Sequence, residues 1–100
     1  MARVPLDLNN PVFQRNWFAL EREEQLAVLG TLVRIHQLDW DQLYRDPGLR
    51  WEAIQSRSGP KGGRIYSLRI TRRSRAVAYR EGNSLRFLAV HADHDAAYRK

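Results

Sequence analysis

Arg64-Ile65-Tyr66-Ser67-Leu68-Arg69-Ile70-Thr71, then Arg72-Arg73-Ser74, then Arg75-Ala76-Val77-Ala78-Tyr79, sets the period of the C-terminal half of the chain. Tyr66, Leu68 and Ile70 recur at every second position, while Ile65, Ser67, Arg69 and Thr71 take the alternate ones. Successive side chains of a strand point to opposite faces, so 64–71 reads as a strand with one side toward a core and a largely polar side turned away. Residues 75–79 read as the next strand and pair with 85–90 around the hairpin signal Glu81-Gly82-Asn83. Residues 49–55, with Trp51, Glu52 and Ala53, read as the strand before them, joined to 64–71 by the turn-rich 56–63.

Before Asp46-Pro47-Gly48 the period is helical instead. Val4, Leu6 and Leu8 alternate with Arg3, Pro5 and Asp7, a short strand whose proline suits a sheet edge. Asn9-Asn10-Pro11 supplies a helix N-cap and a first-turn proline, and Phe13, Trp17 and Leu20 follow at helical spacing. A second helix begins in the acidic Glu21, Glu23 and Glu24 and ends near Leu38. Its apolar face reads as Leu26, Leu29 and Val33, with Leu32 and His36 on the flank. Residues 39–44 add a helical turn, and Trp17 and Trp40 read as packing residues. The expected fold is α+β, an N-terminal strand and a two-helix hairpin packed on a mostly antiparallel sheet of three or four strands. It forms one domain over residues 1–100, with a helical part at about 10–46 and a sheet part at about 49–98. An antiparallel sheet can leave one face to solvent, and that face is the candidate site.

The 100 residues are 43% hydrophobic, with ten aromatics, enough for one core. Cys is absent, which excludes disulfides and thiolate metal sites and fits a reducing compartment. No apolar run approaches the roughly 20 residues of a membrane span, and the first residues lack a signal-peptide core, so a cytoplasmic location is expected. The net charge of +6 is unevenly placed. Residues 1–49 hold five Arg against seven acids, a balance of −2. Residues 50–100 hold ten Arg and two Lys against four acids, a balance of +8. Between Arg57 and Arg80 there are eight basic residues and no acid, a field that attracts polyanions. Arginine, which forks onto phosphate, makes up fifteen of the seventeen basic residues.

Within this half, Arg69 shares its strand face with Ser67 and Thr71, Arg75 opens the next strand, and Arg72 and Arg73 occupy the turn between. Guanidiniums converging there could clamp a phosphate and hold a developing dianion; a ladder that merely keeps a sheet solvated would read the same way. Arg50, Lys61 and Arg64 extend the basic surface. Glu52, His91 and His94 are candidates for proton transfer, and Tyr98 for stacking on a base, although a salt bridge or plain packing would use the same residues. The cluster His91, Asp93, His94 and Asp95 admits a metal reading, but neighbours in one short turn seldom converge on one ion, and no metal site is assigned. Gly59-Pro60-Lys61-Gly62-Gly63 lacks the Lys-Ser/Thr ending of a phosphate-binding P-loop and opens onto a strand.

The stretch 65–71, the strand 75–79 and the ending Val90-His91-Ala92-Asp93-His94-Asp95-Ala96-Ala97-Tyr98 resemble the C-terminal half of RelE/ParE-superfamily toxins of type II toxin–antitoxin systems. The resemblance implies a RelE-like fold and ribosome-dependent mRNA cleavage by 2′-OH attack, without a metal or other cofactor. It also implies neutralisation by a cognate antitoxin. The partners implied are that antitoxin, the ribosome and mRNA, with no membrane, and assembly as a homodimer or a toxin–antitoxin hetero-oligomer. Arg69 and Arg75 match basic positions that contact the scissile phosphate in nuclease members. Tyr98 matches a terminal aromatic, His94 a terminal histidine of some branches, and Glu52 an acidic base of one branch. Where some nucleases carry Lys two residues before the strand arginine, this chain has Ser67, which points to a His- or Glu-assisted variant. ParE-like members share the fold yet act on DNA gyrase, so a non-enzymatic gyrase inhibitor or RNA-binding module is the alternative.

Overall fold

Asn10 and Pro11 start the first helix as their chemistry requires. The Asn10 side chain accepts from the backbone N–H groups of Val12 and Phe13, and Pro11 occupies the first turn, where no N–H is needed. The computed structural model describes residues 3–92. In chain order these form β1 (Leu6–Asp7), α1 (Pro11–Ala19), α2 (Arg22–His36), α3 (Trp40–Arg45), β2 (Glu52–Ser58), a 3-10 turn (Pro60–Gly62), β3 (Arg64–Thr71), β4 (Ser74–Glu81) and β5 (Ser84–Ala92). The sheet runs β1-β5-β4-β3-β2. Its four C-terminal strands are antiparallel, and β1 adds to β5 in parallel as the edge strand, so the sheet has five strands rather than three or four.

The helices lie against one face. Phe13 of α1 packs on Phe87 of β5 with ring centroids 5.2 Å apart. Val28, Leu32 and Ile35 of α2 join Leu43, Leu49, Leu68, Ala76, Ala78, Leu85 and Val90 in one core. The chain entering β1 is tied in on both sides, since the Val4 N–H donates to Leu38 O and the Leu85 N–H donates to Pro5 O. α3 carries a capping box in which Asp39 and Gln42 satisfy each other's backbone groups. It seats Trp40 edge-on to Trp51, whose ring stacks on Tyr66 at 4.3 Å.

Three expectations change. Leu26, Leu29 and Val33 do not face the core; they are exposed, and Val28, Leu32 and Ile35 are buried instead. α2 carries two apolar stripes at helical spacing, and packing on the sheet selects the one that also brings Glu24 inward. Thr71 does not share a side with Arg69, because the β3–β4 register shifts between Arg69 and Thr71. A bulge of this kind sets two successive residues on one side, and Thr71 turns toward α2. β2 runs to Ser58, beyond the expected end of its strand. The hairpin after it closes through the Gly59 N–H donating to Gly63 O, and a Cβ on Gly59 would lie 2.3 Å from Ile65 Cγ2.

The inward Glu24 has a defined task. Its Oε1 accepts from the hydroxyls of Ser74 (2.8 Å) and Thr71 (3.4 Å), which lie 3.0 Å from each other, and Ser74 is fully buried. This network fastens the β3–β4 turn to α2. Removing the carboxylate leaves one hydroxyl donor without an acceptor, since Thr71 and Ser74 still bond to each other, and a buried polar group left without its partner costs about 1–3 kcal/mol. Glu24→Ala is therefore expected to lose stability of that size in equilibrium urea unfolding; an unchanged midpoint would show that the network does not fasten the turn.

Candidate nucleic-acid interface

With the helices on one side, strand alternation sends the remaining side chains to the other. The register places Arg69 directly opposite Arg75, and Arg75 directly opposite His91, so the three form one row across β3, β4 and β5. The next row is Glu52, Ser67, Val77 and Ala89 across β2 to β5. Glu52 is thus a diagonal neighbour of Arg69, with Cα atoms roughly 7–8 Å apart for such positions. Like charges directly opposite on paired strands repel. Among the described residues, neither Arg69 nor Arg75 has a carboxylate partner, and both guanidiniums are left with N–H groups to offer. The face is not uniformly polar, since Ile65 and Val77 are also buried on it, outside the main core cluster.

The turn residues Arg72 and Arg73 stand at the end of the row, both exposed, and the Arg73 N–H is fixed by Thr71 Oγ1 at 2.9 Å. Arg50 arrives at the same end. The backbone N–H of Arg69 donates to Leu49 O at 2.7 Å, and Arg50 takes the corner into β2 with φ at +50°. A left-handed backbone at a residue other than glycine costs roughly 1–2 kcal/mol, which the buried Leu49 anchor and the Arg69 bond hold in place. Arg50, Arg69, Arg72, Arg73 and Arg75 therefore gather at one end of the sheet, with Glu52 and His91 on either side of the arginine pair. Arg64 lies at the far end of β3, roughly 17 Å away at 3.3 Å per residue, and alternation puts it on the Tyr66 side. Lys61 belongs to the turn at that same far end. His94 and Tyr98 lie outside the described residues.

Two arginines behave in ways the sequence reading missed. Arg80 is on the helix side, its guanidinium 4.2 Å above the Trp40 ring and donating to Tyr44 Oη and Gly82 O, both at 2.8 Å. It is used in packing. Arg86, on the outer face beyond Val77, is held between Asp7 Oδ2 at 2.5 Å and Glu81 Oε1 at 2.7 Å. With two carboxylates against it, Arg86 adds little to the positive field. The parallel register of β1 on β5, which sets Asp7 beside Arg86, is the signal that could have revealed this, and it is a tertiary one. Tyr79 adjoins the cluster and lines, with Asp7, Asn9 and Arg86, a cleft of about 250 Å³.

No family profile and no curated protein matches this sequence. Among the solved structures similar in three dimensions are two bacterial proteins. A copper-bound mutant toxin from Helicobacter pylori matches with a TM-score of 0.54 at 16% identity, over 95% of this chain and 98% of its own. A YoeB dimer from Staphylococcus aureus matches with a TM-score of 0.55 at 16% identity, over 93% of this chain and 100% of its own. The fold is that of the RelE-like toxins. The order of strand, helices and sheet anticipated from the resemblance is therefore the order found. No helix among the described residues is long and apolar enough to cross a membrane.

Burial and then Glu81, which accepts from the Tyr79 hydroxyl at 3.3 Å, raise the Tyr79 pKa above its ordinary 10.0. The fold thus favours the neutral phenol. This contribution to stability is complete below the unfolded-chain value and is lost as pH rises through the folded one. The denaturant midpoint is expected to fall above pH ~10 and to fall less steeply in Tyr79→Phe; equal slopes in the two proteins would assign the loss to other groups.

Proposed function

We propose that this chain is the toxin of a toxin–antitoxin pair and cleaves mRNA on the ribosome. The observation that carries the reading is the Arg69–Arg75 pair, two guanidiniums opposed across strands on the sheet face away from α1 and α2, with no carboxylate partner among the described residues. An anion bridging them removes the repulsion, and a phosphodiester matches the paired N–H groups that arginine presents.

In this reading Arg69 and Arg75 hold the nonbridging oxygens of the scissile phosphate and stabilise the dianionic pentacoordinate transition state. The ribose 2′-oxygen forms a bond to phosphorus as the bond to the 5′-oxygen breaks, giving a 2′,3′-cyclic phosphate and a free 5′-hydroxyl. A base takes the 2′-proton and an acid returns one to the departing oxygen. Glu52, diagonal to Arg69, suits the first task. A histidine suits the second: His94 as the resemblance implies, or His91, which extends the arginine row. Tyr98 positions the substrate. Arg50, Arg72 and Arg73 steer the flanking backbone, and Lys61, in the turn at the far end, extends the basic surface, while Arg64 on the Tyr66 side lies off this path. The chain works in the cytoplasm with the ribosome and mRNA, and a cognate antitoxin bearing an acidic segment silences it by covering the same face.

Purified protein added to translating ribosomes is expected to cut mRNA, and Arg75→Ala to slow cutting by about 10²–10³-fold, the usual effect of deleting one transition-state donor. Cutting by Arg75→Ala at the wild-type rate would remove the mechanism. Intact mRNA together with inhibited gyrase supercoiling would replace it with the non-enzymatic reading.

A further inference from the structure

Arg64 is the basic residue of β3 that the arginine row leaves unused, and its surroundings are aromatic. It is exposed at the start of the strand, on the helix side, and no described residue pairs with its guanidinium. Tyr66 follows two positions along on the same side. One face of the Tyr66 ring is stacked on Trp51, with centroids 4.3 Å apart and planes 18° apart. Trp51 in turn lies 5.7 Å from the ring of Tyr44, which is 44% exposed on α3.

The second face of Tyr66 meets no other described ring. Its cross-strand neighbours are Ala53 and Ala78, whose side chains end at Cβ and cannot cover it. Tyr66 and Trp51 are half-buried, and no described residue bonds the Tyr66 hydroxyl. Three rings thus lie side by side at the margin of the core, with a flat face left beside Arg64.

The charges around these rings are positive. The antiparallel register that sets Tyr66 opposite Ala78 brings Arg80 opposite Arg64 two residues further on. Arg80 lies over Trp40 and donates to Tyr44 Oη at 2.8 Å, which fixes one cation against the ring cluster. Of the carboxylates nearby, Asp46 is bound by Arg34 and Asp39 caps α3. Glu52 is turned to the other side of the sheet, and Asp41 stands beside Arg45, which donates to its carbonyl. Half-open rings beside guanidiniums are the components of a single-stranded nucleic-acid platform, in which bases stack and cations follow the backbone. An acidic peptide fits less well, because its carboxylates would meet ring faces that carry negative quadrupole density.

We infer that Tyr44, Trp51 and Tyr66, with Arg64 and Arg80, form a second binding site on the helix side of the sheet, and that its ligand is single-stranded RNA. A base stacks on the free face of Tyr66, and Arg64 forks onto the adjoining phosphate. β2 is the edge strand between the two sides, so one RNA can reach both by passing round it. The inference does not rest on the nuclease reading, because binding here asks nothing of the arginine row.

The experiment uses the full-length chain with the row removed by Arg69→Ala and Arg75→Ala, and a short unstructured RNA carrying 5-iodouridine. Irradiation is expected to attach this RNA to Tyr66 or Tyr44. In the same background Tyr66→Leu should weaken binding by about tenfold, the worth of one stacked base, and Tyr66→Phe should restore it. Arg64→Ser, an exposed change, should shallow the fall of log K with log salt by about 0.7. Binding that vanishes with the arginine row overturns the inference. So do attachment elsewhere only, a salt slope that Arg64→Ser leaves unchanged, or rings protected by an acidic peptide and not by RNA. Uncut mRNA on ribosomes would remove the nuclease reading and leave this site standing.

Discussion

Arg69 and Arg75 stand opposite each other on neighbouring strands, and this opposition has to be tolerated by the rest of the molecule. Two unit charges roughly 5 Å apart repel by about 1 kcal/mol in water and several times that where the effective dielectric constant falls toward 20. A sheet covered on both sides could not hold such a pair without a carboxylate. This one can, because α1 and α2 cover a single face and leave the row in contact with solvent. A phosphate roughly 4 Å from each guanidinium turns the repulsion into two attractions of comparable or larger size.

The elements that look merely structural keep that row in place. Glu24, reaching inward from α2, ties Thr71 and Ser74, so the turn carrying Arg72 and Arg73 is anchored from behind. The bulge between Arg69 and Thr71 turns Thr71 inward while leaving Arg69 outward. Leu49, buried, takes the Arg69 N–H on its carbonyl and forces Arg50 round a left-handed corner to the same end of the sheet. Asp7 and Glu81 neutralise Arg86 further along the face, and Trp40 with Tyr44 draws Arg80 to the other side. The positive field is thereby concentrated at one end instead of being spread over the sheet. The overall balance of +8 in residues 50–100 does not reveal that concentration.

What the sequence made legible is what short-range chemistry dictates. The two-residue period of 64–71 gave the bounds and facing of β3 up to the bulge, and Asn10-Pro11 gave the start of α1. Pro5 correctly placed the first strand at an edge. α2 was ambiguous because 26/29/33 and 28/32/35 are both apolar at helical spacing, and only contact with the sheet distinguishes them. The alignment of Arg69, Arg75 and His91 depends on registers, and the binding of Arg86 on a parallel pairing across most of the chain; neither is a local property. Arg80 counted toward the basic field between 57 and 80, and its withdrawal onto Trp40 and Tyr44 rests on contacts between residues far apart in the chain.

The most direct measurement is the salt dependence of single-stranded RNA binding by the wild-type chain and by Arg69→Ala and Arg75→Ala. Each phosphate contact made releases counterions and steepens the fall of log K with log salt by about 0.7 for single strands. The predicted result is a steep wild-type line whose slope shallows by about that amount in each variant. Wild-type and variant lines of equal slope would contradict the claim that the opposed arginines hold the RNA backbone.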